Sequence, residues 1–282
     1  LKDAGWHQKD RQRIAVVVAS GYGAARTTFF FLDSAIDNGD ALASPTMFSN
    51  SVHNASAAYI SILLNVKGPN LTVSQFEMSV PSALVSACCW LQDNQVDAVI
   101  FGGVDEYCSV LGYSWQRFFG QGGNIRMRPL ELENQSAIAG EGAAFLLLTR
   151  DDGDKPKYGY IKGVQFGRTG ISKPEIAKNT LLILGADGHK SAGIHYARQI
   201  QPTIQAAIYS PLYGSIPIGP AFDMVVAALS IREGRIFATA NFAGDNPGLN
   251  IVCKDEELNS KPICCLKFSC KGEFGMIEMA SE

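Results

Sequence analysis

The chain has 282 residues, of which 46% are apolar and 18% are charged, and its formal net charge is −3. This composition predicts a large buried core and excludes a disordered chain. The small negative charge provides no attraction to nucleic acid or to an anionic membrane, and no apolar run approaches the roughly 20 residues of a membrane-spanning helix.

The seven cysteines lack the Cys-x-x-Cys spacing that is typical of zinc sites. They include two adjacent pairs, Cys88–Cys89 and Cys264–Cys265. We expect buried, reduced thiols that act as small apolar side chains, which suits a cytoplasmic protein, and we expect neither a metal nor a cofactor. Because residue 1 is Leu rather than Met, a trimmed start or a removed signal stays open.

The first half of the sequence alternates strand and helix signals. A β-branched run at Ile14–Ala19 ends in Ser-Gly-Tyr-Gly and predicts a buried strand followed by a turn. Pro45 predicts the start of a helical stretch that continues to Leu64, and Pro81 is tolerated in the first turn of an apolar helix. In chain order, the further predicted elements are a helix at 25–36, a strand at 71–73, the apolar helix at 79–92, a strand at 98–102 and a strand at 143–149.

The second half repeats this order. An apolar helix is predicted at 217–231 and a strand at 235–241, and Gly272-Glu-Phe-Gly leads into a strand at 276–279. These elements follow their counterparts in the first half at an offset of about 130–140 residues, roughly one half-domain. The sequence therefore predicts two similar halves.

Buried strands that alternate with helices predict an α/β fold with helices on both faces of its sheets. The polar stretch at 151–156, Asp-Asp-Gly-Asp-Lys-Pro, predicts the break between the halves. The expected organisation is an N-terminal half at 1–150 and a C-terminal half at 151–282.

Several short motifs follow one another in a characteristic order. They are Ser44-Pro45 through Ala55, Gly68-Pro69 before a strand, Asp97 through Glu106, Gly140-Glu141-Gly142, and the segments 241–250 and 271–275. In this order and spacing, the chain resembles the β-ketoacyl synthase family over most of its length. The resemblance implies a thiolase-like α/β fold of five layers, α-β-α-β-α, made from two similar halves, which agrees with the internal repeat.

The resemblance also locates three catalytic positions. In the family, a cysteine thiolate at the start of a buried helix accepts the acyl chain, and the helix N-terminus stabilises it. Two histidines assist the decarboxylation of the malonyl group and stabilise the enolate. The matching positions here hold Glu77 after Gly68-Pro69, Asp187 in Leu-Gly-Ala-Asp-Gly, and Ser215 in Tyr-Gly-Ser-Ile-Pro. The resemblance therefore implies a chain with neither the nucleophile nor the imidazole pair.

The same region admits other interpretations. A buried Glu77 with a raised pKa would serve as a general acid or base, together with Asp187, for a substrate that the family does not use. His189 and His195 are either relocated catalytic histidines or loop residues beside a Gly-rich turn, and the second interpretation is favoured. His53 is predicted to be a helix residue packed under the core.

The resemblance is to the chain length factor, the degenerate copy that replaces one protomer of the synthase dimer in type II polyketide and polyene systems. Such a subunit forms a heterodimer with an active β-ketoacyl synthase, through the strand here at 71–73, and shapes the tunnel for the chain carried by acyl carrier protein. The short length is similar to the compact subunits of aryl polyene pathways. Neither a nucleic acid nor a membrane partner is expected.

Bulky residues near the dimer axis are the candidates for the tunnel end. Consecutive aromatic residues on one helix point over roughly 200° of its surface, so at least one is expected to face inward. The candidates are Phe29, Phe30, Phe31, Met47 and Phe48. Two other functions stay open: an active condensing enzyme or acyltransferase with unusual residues, and a binding protein for an acyl chain or for acyl carrier protein.

Overall fold

A computed structural model of the chain describes residues 1–6, 10–119, 126–131, 135–150, 153, 156–240 and 248–282. The helices in these ranges are α1 (Ala25–Asn38), α2 (Pro45–Asn50), α3 (Ala55–Leu64), α4 (Ser79–Gln92), α5 (Ser109–Phe119), α6 (Lys190–Gln199), α7 (Ser210–Tyr213) and α8 (Gly219–Glu233). None of the helices in these ranges has the length and apolar character needed to span a bilayer. Most of the predicted break at 151–156, and the 241–247 part of the C-terminal motif, lie outside the described residues.

The strands form two large sheets and one small ribbon. They are β1 (Ile14–Ala19), β2 (Asn70–Val73), β3 (Ala98–Asp105), β4 (Gly142–Thr149), β5 (Tyr160–Arg168), β6 (Leu181–Leu184), β7 (Gln205–Ala207), β8 (Arg235–Ile236), β9 (Asn250–Ile251), β10 (Glu256–Glu257), β11 (Ile263–Phe268) and β12 (Glu273–Ala280). The first sheet has the order β2-β1-β3-β4 and the second has the order β5-β12-β11-β6-β7-β9.

The position of strand β1 in the sheet explains why its sequence is continuously apolar. It pairs in parallel with both β2 and β3, and all six of its residues are buried. Its residues 15, 17 and 19 face the core that contains α4, whereas residues 14, 16 and 18 face a second cluster that contains Ala57 of α3. A strand covered by helices on both faces needs apolar side chains at every position.

The two sheets share one core. Val80 and Leu84 of α4, together with Met224 of α8, lie between the first sheet and residues such as Ile183 and Ile277 of the second. On the far face of the second sheet, α6 packs through Tyr196, whose ring meets the ring of Phe268 edge-on at 5.0 Å. The layers are therefore α3, sheet, α4 with α8, sheet and α6, and the predicted five-layer α/β fold is confirmed. The boundary between halves at residue 150 stays a prediction.

The predicted repeat is wrong at one strand. The stretch at 235–241 was expected to match the strand at 98–102, but only β8 (Arg235–Ile236) forms there, and it pairs antiparallel with β10. The order β2-β1-β3-β4 corresponds to β7-β6-β11-β12, so the counterpart of β3 is β11. The strand ends after Ile236 because the next backbone N–H groups bond elsewhere: that of Ala238 donates to the Asp255 side chain and that of Thr239 to the Val252 carbonyl.

The helical stretch predicted from Pro45 to Leu64 is two helices, α2 and α3, separated by a turn at 51–54. The hydroxyl and the backbone N–H of Ser51 both bond to the Phe48 carbonyl, which ends α2. Serine side chains compete with helical hydrogen bonds in this way. His53 lies in the turn and is exposed, so the prediction that it packs under the core is wrong.

Candidate functional site

The chain makes a sharp elbow between β2 and α4. Phe76 has a φ of 46°, which is uncommon for an aromatic residue and is held only where the surroundings impose it. The buried Ser79 imposes it here: its hydroxyl oxygen accepts the N–H of Gln75 at 2.7 Å and lies 2.7 Å from the Phe76 carbonyl oxygen and 3.1 Å from that of Ser20. The elbow places Glu77 just before the first turn of α4, as the motif count predicts.

Glu77 is half-buried and opens onto a groove of 670 Å³. One side of the groove comes from the elbow, including Gln75 and Phe76. The other side comes from Phe166 of β5 and from Cys270 and Lys271 in the turn between β11 and β12. This groove gives Glu77 contact with solvent.

The other two predicted positions touch each other. The Ser215 hydroxyl donates to Asp187 Oδ2 at 2.7 Å, and Lys267 Nζ lies 2.8 Å from the same oxygen while it donates to the Gly185 carbonyl at 2.8 Å. Asp187, Ser215 and Lys267 are only 6%, 3% and 3% exposed. Where the resemblance implies two histidines, the chain therefore has a buried carboxylate, Asp187, and a hydroxyl, Ser215. The ion pair that Asp187 forms with Lys267 is here called the Asp187–Lys267 pair.

Lys267 was not among the site residues predicted from the sequence. It stands in β11, in the run Ile-Cys-Cys-Leu-Lys-Phe, where all six residues are buried. A charged residue inside an otherwise apolar, fully buried strand is rare unless it has a partner. The lysine in this apolar run indicates a buried charge that needs a partner, although the run does not show which residue the partner is.

The Asp187–Lys267 pair keeps both members ionised. Burial acts to raise the pKa of Asp187, but the Lys267 charge and the hydrogen bonds outweigh it and lower the pKa. Burial likewise acts to lower the pKa of Lys267, and the Asp187 charge outweighs it and raises the pKa. Each group is thus stabilised in the charged form by the other.

A second buried carboxyl lies beside this pair. Asp223 of α8 accepts a hydrogen bond from the Tyr213 hydroxyl at 2.7 Å. Burial raises the pKa of Asp223 to about 7, against the opposing effects of Tyr213 and of the Lys267 charge. Unlike Asp187, Asp223 therefore retains its proton over part of the neutral range.

Asp223 predicts a measurable pH dependence of stability. Its folded pKa of about 7 is higher than the ordinary value of 3.8, so the folded state binds the proton more tightly and its stability falls as pH rises through this interval. The Asp223→Asn variant keeps an acceptor for Tyr213 but cannot ionise. Between pH 5 and pH 7, we expect the wild-type free energy of unfolding to fall relative to the variant by roughly 1 kcal/mol per pH unit.

Urea unfolding of both proteins across this range measures the difference. His189, whose pKa is lowered mainly by burial, contributes the opposite slope, but it is present in both proteins and cancels in the comparison. Parallel stability curves would contradict a raised pKa at Asp223.

The two remaining histidines, His189 and His195, lie in different environments. His195 lies inside α6, where its ring stacks on Phe268 at 5.8 Å, so the loop interpretation is wrong for it. His189 immediately precedes the first residue of α6 and is 8% exposed. Burial lowers the pKa of His189, and the nearby Asp187 carboxylate only partly opposes this. Among the residues that the structure describes, no group of three or more His, Cys, Asp or Glu is arranged to hold a metal ion.

The tunnel candidates lie on α1 and α2, away from the buried cores. None of the residues of α1, all of which the structure describes, is buried. Phe31 of α1 meets Phe48 of α2 with ring centroids 5.4 Å apart, and Phe29, Phe30, Met47 and Phe48 are all exposed. None of these side chains therefore fills the core of this chain.

Apolar side chains are exposed on the helices α1, α2 and α3, which lie between β1 and β2 in the chain. Within the described part of the chain, no strand pairs with the outer edge of β2. Helix α3 lies next to this edge, because the Asn70 side chain donates to the Ala57 carbonyl and to the Ser61 hydroxyl. Ile62 and Leu63 of α3 are 75% and 84% exposed. We call β2 together with α1, α2 and α3 the edge surface.

Residues 1–153 match a protein-family model described as the N-terminal domain of β-ketoacyl synthase. Over 163 residues the chain is 24% identical to the 3-oxoacyl-[acyl-carrier-protein] synthase 2 of Mycobacterium bovis, and over 183 residues it is 23% identical to the protein of the same name from Vibrio cholerae. These alignments cover 55% and 60% of this chain but only 39% and 44% of the relatives. The chain thus spans less than half the length of these relatives.

Two solved structures share the fold over nearly the whole chain. One is a type II polyketide synthase acyl carrier protein in complex with its ketosynthase, with a TM-score of 0.82 at 13% identity over 99% of this chain and 81% of that one. The other is the ishigamide ketosynthase/chain length factor, with a TM-score of 0.80 at 16% identity over 100% of this chain and 79% of that one. Since the matched family model covers more than half of the 282 residues, the chain belongs to the β-ketoacyl synthase family.

Proposed function

We propose that this chain is a non-catalytic chain length factor that forms a heterodimer with an active β-ketoacyl-acyl-carrier-protein synthase. The proposal rests on the residues that stand at the three positions where the family has its catalytic cysteine and histidines. Glu77 stands at the elbow, and Asp187 and Ser215 are bound into a buried pair with Lys267. A carboxylate at the elbow cannot form the thioester that a cysteine forms, and the buried pair has no imidazole to assist decarboxylation.

The edge surface supports a partner subunit. A free strand edge and exposed apolar helices are the features that a second chain covers by adding a strand and burying apolar area. The ishigamide ketosynthase/chain length factor, which has the same fold, is described in its name as a pair of this kind. The partner is an active synthase rather than a second copy, because two copies of this chain would supply no nucleophile.

The exposed Phe31–Phe48 contact supports a role in measuring the chain. These rings belong to the edge surface, so the partner covers them, and side chains at such a junction limit the space available to a growing acyl chain. The proposal extends to acyl carrier protein as the donor of that chain, to a polyketide, polyene or fatty-acid-like product, and to a cytoplasmic location. An aryl polyene product and the division into halves at 1–150 and 151–282 stay predictions.

The first test is acylation. Incubated with an acyl-acyl-carrier-protein thioester and an active partner synthase, this chain should show no mass increase, whereas the synthase should gain one acyl group. Intact-mass spectrometry of the separated subunits measures both. The Glu77→Cys variant, tested with a partner whose own cysteine is replaced, should still yield no condensation product, because the thiol would lack imidazole partners.

Two outcomes separate the alternatives. A stable acyl adduct on the wild-type chain would mean that it is an acyltransferase or condensing enzyme with unusual residues. Failure to co-purify with any synthase, together with saturable binding of acyl carrier protein by the isolated chain, would instead support a carrier-protein binding function.

A further prediction concerns product length. The Phe31→Ala and Phe48→Ala variants should each allow longer products when co-expressed with the active partner, because the missing ring leaves space at the junction. Since both rings contribute little to the buried core, the stability of the isolated chain should change by only about 0.5 kcal/mol. Mass spectrometry of the extracted products measures chain length.

Phe118→Ala is the matched control, because Phe118 is 80% exposed on α5, outside the edge surface. Its products should keep the wild-type length. If Phe31→Ala, Phe48→Ala and Phe118→Ala all give wild-type products, the chain does not measure through these rings.

A further inference from the structure

A cluster of aromatic rings stands beside the Asp187–Lys267 pair and plays no part in the proposed function. Trp115 and Phe119 come from one face of α5, and their ring centroids are 5.3 Å apart. Both rings meet the imidazole of His189, at 4.9 Å and 4.7 Å. Each of the three rings thus contacts the other two, and His189 is buried beneath them.

Tyr22 extends the cluster towards the elbow. It follows β1, and its backbone N–H is fixed by Asp105 Oδ1 at 3.0 Å. Burial raises the pKa of Tyr22 to about 12, while a hydrogen bond from the Trp115 indole acts in the opposite direction. The negative charges of Asp105, Glu77 and Asp187 also raise this pKa.

Hydrogen bonds fix the tautomer of the neutral His189 ring. The side-chain oxygen of Gln135 accepts the backbone N–H of Lys190 at 2.9 Å, so its amide nitrogen faces His189 Nδ1, also at 2.9 Å. An amide nitrogen only donates, so Nδ1 is the acceptor and the imidazole proton is on Nε2. Burial lowers the pKa of His189, which keeps this ring neutral and suited to packing between Trp115 and Phe119.

His189 connects the ring cluster to the Asp187–Lys267 pair. His189 follows Asp187 by two residues, and the open groove at Glu77 is lined by none of the four clustered residues. The pair itself is almost fully buried, so it is shielded from solvent. A buried ion pair depends on such exclusion of water for its strength.

We propose that Tyr22, Trp115, Phe119 and His189 form a plug, built from the chain's own rings, that closes the pocket over the Asp187–Lys267 pair to any ligand. The plug is a second barrier to catalysis, independent of the missing cysteine and histidines. Removal of the Trp115 ring should open a pocket lined by rings and ending at an ammonium group. Such a pocket accepts a small aromatic molecule, for which indole is the closest match to the missing side chain.

The test measures access to Lys267 in the full chain. Wild type and Trp115→Ala are treated briefly with acetic anhydride at pH 8, and acetylation of each lysine is read by peptide mass spectrometry. We expect Lys267 to be protected in wild type and labelled at least about tenfold faster in Trp115→Ala, since labelling reports local opening. Added indole should restore much of the protection. The exposed Lys271 should react equally in all samples.

Tyr113→Ala is the matched control, because Tyr113 lies on the same helix and is 65% exposed; it should leave Lys267 protected. If Trp115→Ala is unfolded by circular dichroism, Phe119→Ala takes its place with toluene as the filling molecule. Unchanged labelling of Lys267 in a folded Trp115→Ala or Phe119→Ala variant would overturn the proposal, and so would fast labelling of Lys267 in wild type. Neither outcome bears on whether the chain partners a synthase.

Discussion

Replacement of Lys267 by Met is expected to lower the free energy of unfolding by about 3–5 kcal/mol, the cost of removing one member of a buried ion pair. Methionine fills most of the lysine volume, so the loss is electrostatic rather than a cavity. Asp187 would be left with only the Ser215 hydroxyl at Oδ2, and the Gly185 carbonyl would lose its donor. Urea unfolding followed by circular dichroism measures the effect.

Lys271→Met is the control, because Lys271 is exposed in the turn that follows the same strand. Its effect should stay within about 0.5 kcal/mol. The double variant Lys267→Met with Asp187→Asn should recover part of the lost stability, because no unpaired charge remains buried. If Lys267→Met were no worse than Lys271→Met, the Asp187–Lys267 pair would not be stabilising the fold.

The sign of the pH dependence provides an independent check. In wild type the ammonium lowers the pKa of Asp187, so its contribution to stability is present above the ordinary value of 3.8 and is lost as pH falls through the lowered value. In Lys267→Met this stabilisation is absent and burial raises the pKa. The destabilisation by Lys267→Met should therefore be smaller in acid than at neutral pH.

Local sequence patterns were sufficient for much of the fold. The apolar strand β1 and the apolar helix α4 were predicted to their ends, and β3 was predicted except for its last three residues, because a strand or helix buried on all sides has no polar alternative. The count from Gly68-Pro69 put Glu77 near the start of the buried helix, and the structure has Glu77 just before α4. Each of these inferences depends on residues that are close together along the chain.

The predictions that failed depend on residues far apart. Lys267 meets Asp187 across 80 positions of sequence, and nothing near either residue indicates the other. The strand expected at 235–241 has suitable residues, but Asp255 and Val252 redirect its backbone. His189 does lie in the loop before α6, as predicted, but its burial was not predicted because Trp115 and Phe119, which cover it, belong to a distant helix.

The Leu63→Asp variant should abolish stable assembly with the partner synthase. Leu63 is 84% exposed on α3, beside the free edge of β2, and the proposed heterodimer buries it. A carboxylate that loses water without a partner costs several kcal/mol, and every 1.4 kcal/mol weakens binding about tenfold. We therefore expect at least about a hundredfold loss of affinity, measured by co-purification with the tagged synthase and by titration of the purified subunits.

Ile171→Asp provides the matched control, because Ile171 is also 84% exposed but follows β5 in the other sheet. Neither substitution enters a core, so both isolated chains should unfold within about 0.5 kcal/mol of wild type. The Ile171→Asp protein should bind the synthase like wild type. If instead Ile171→Asp breaks the complex and Leu63→Asp does not, the partner covers the edge strand β5, and the edge surface around β2 has another function. If both variants bind the synthase like wild type, the exposed apolar residues of α3 are not part of an interface with the synthase.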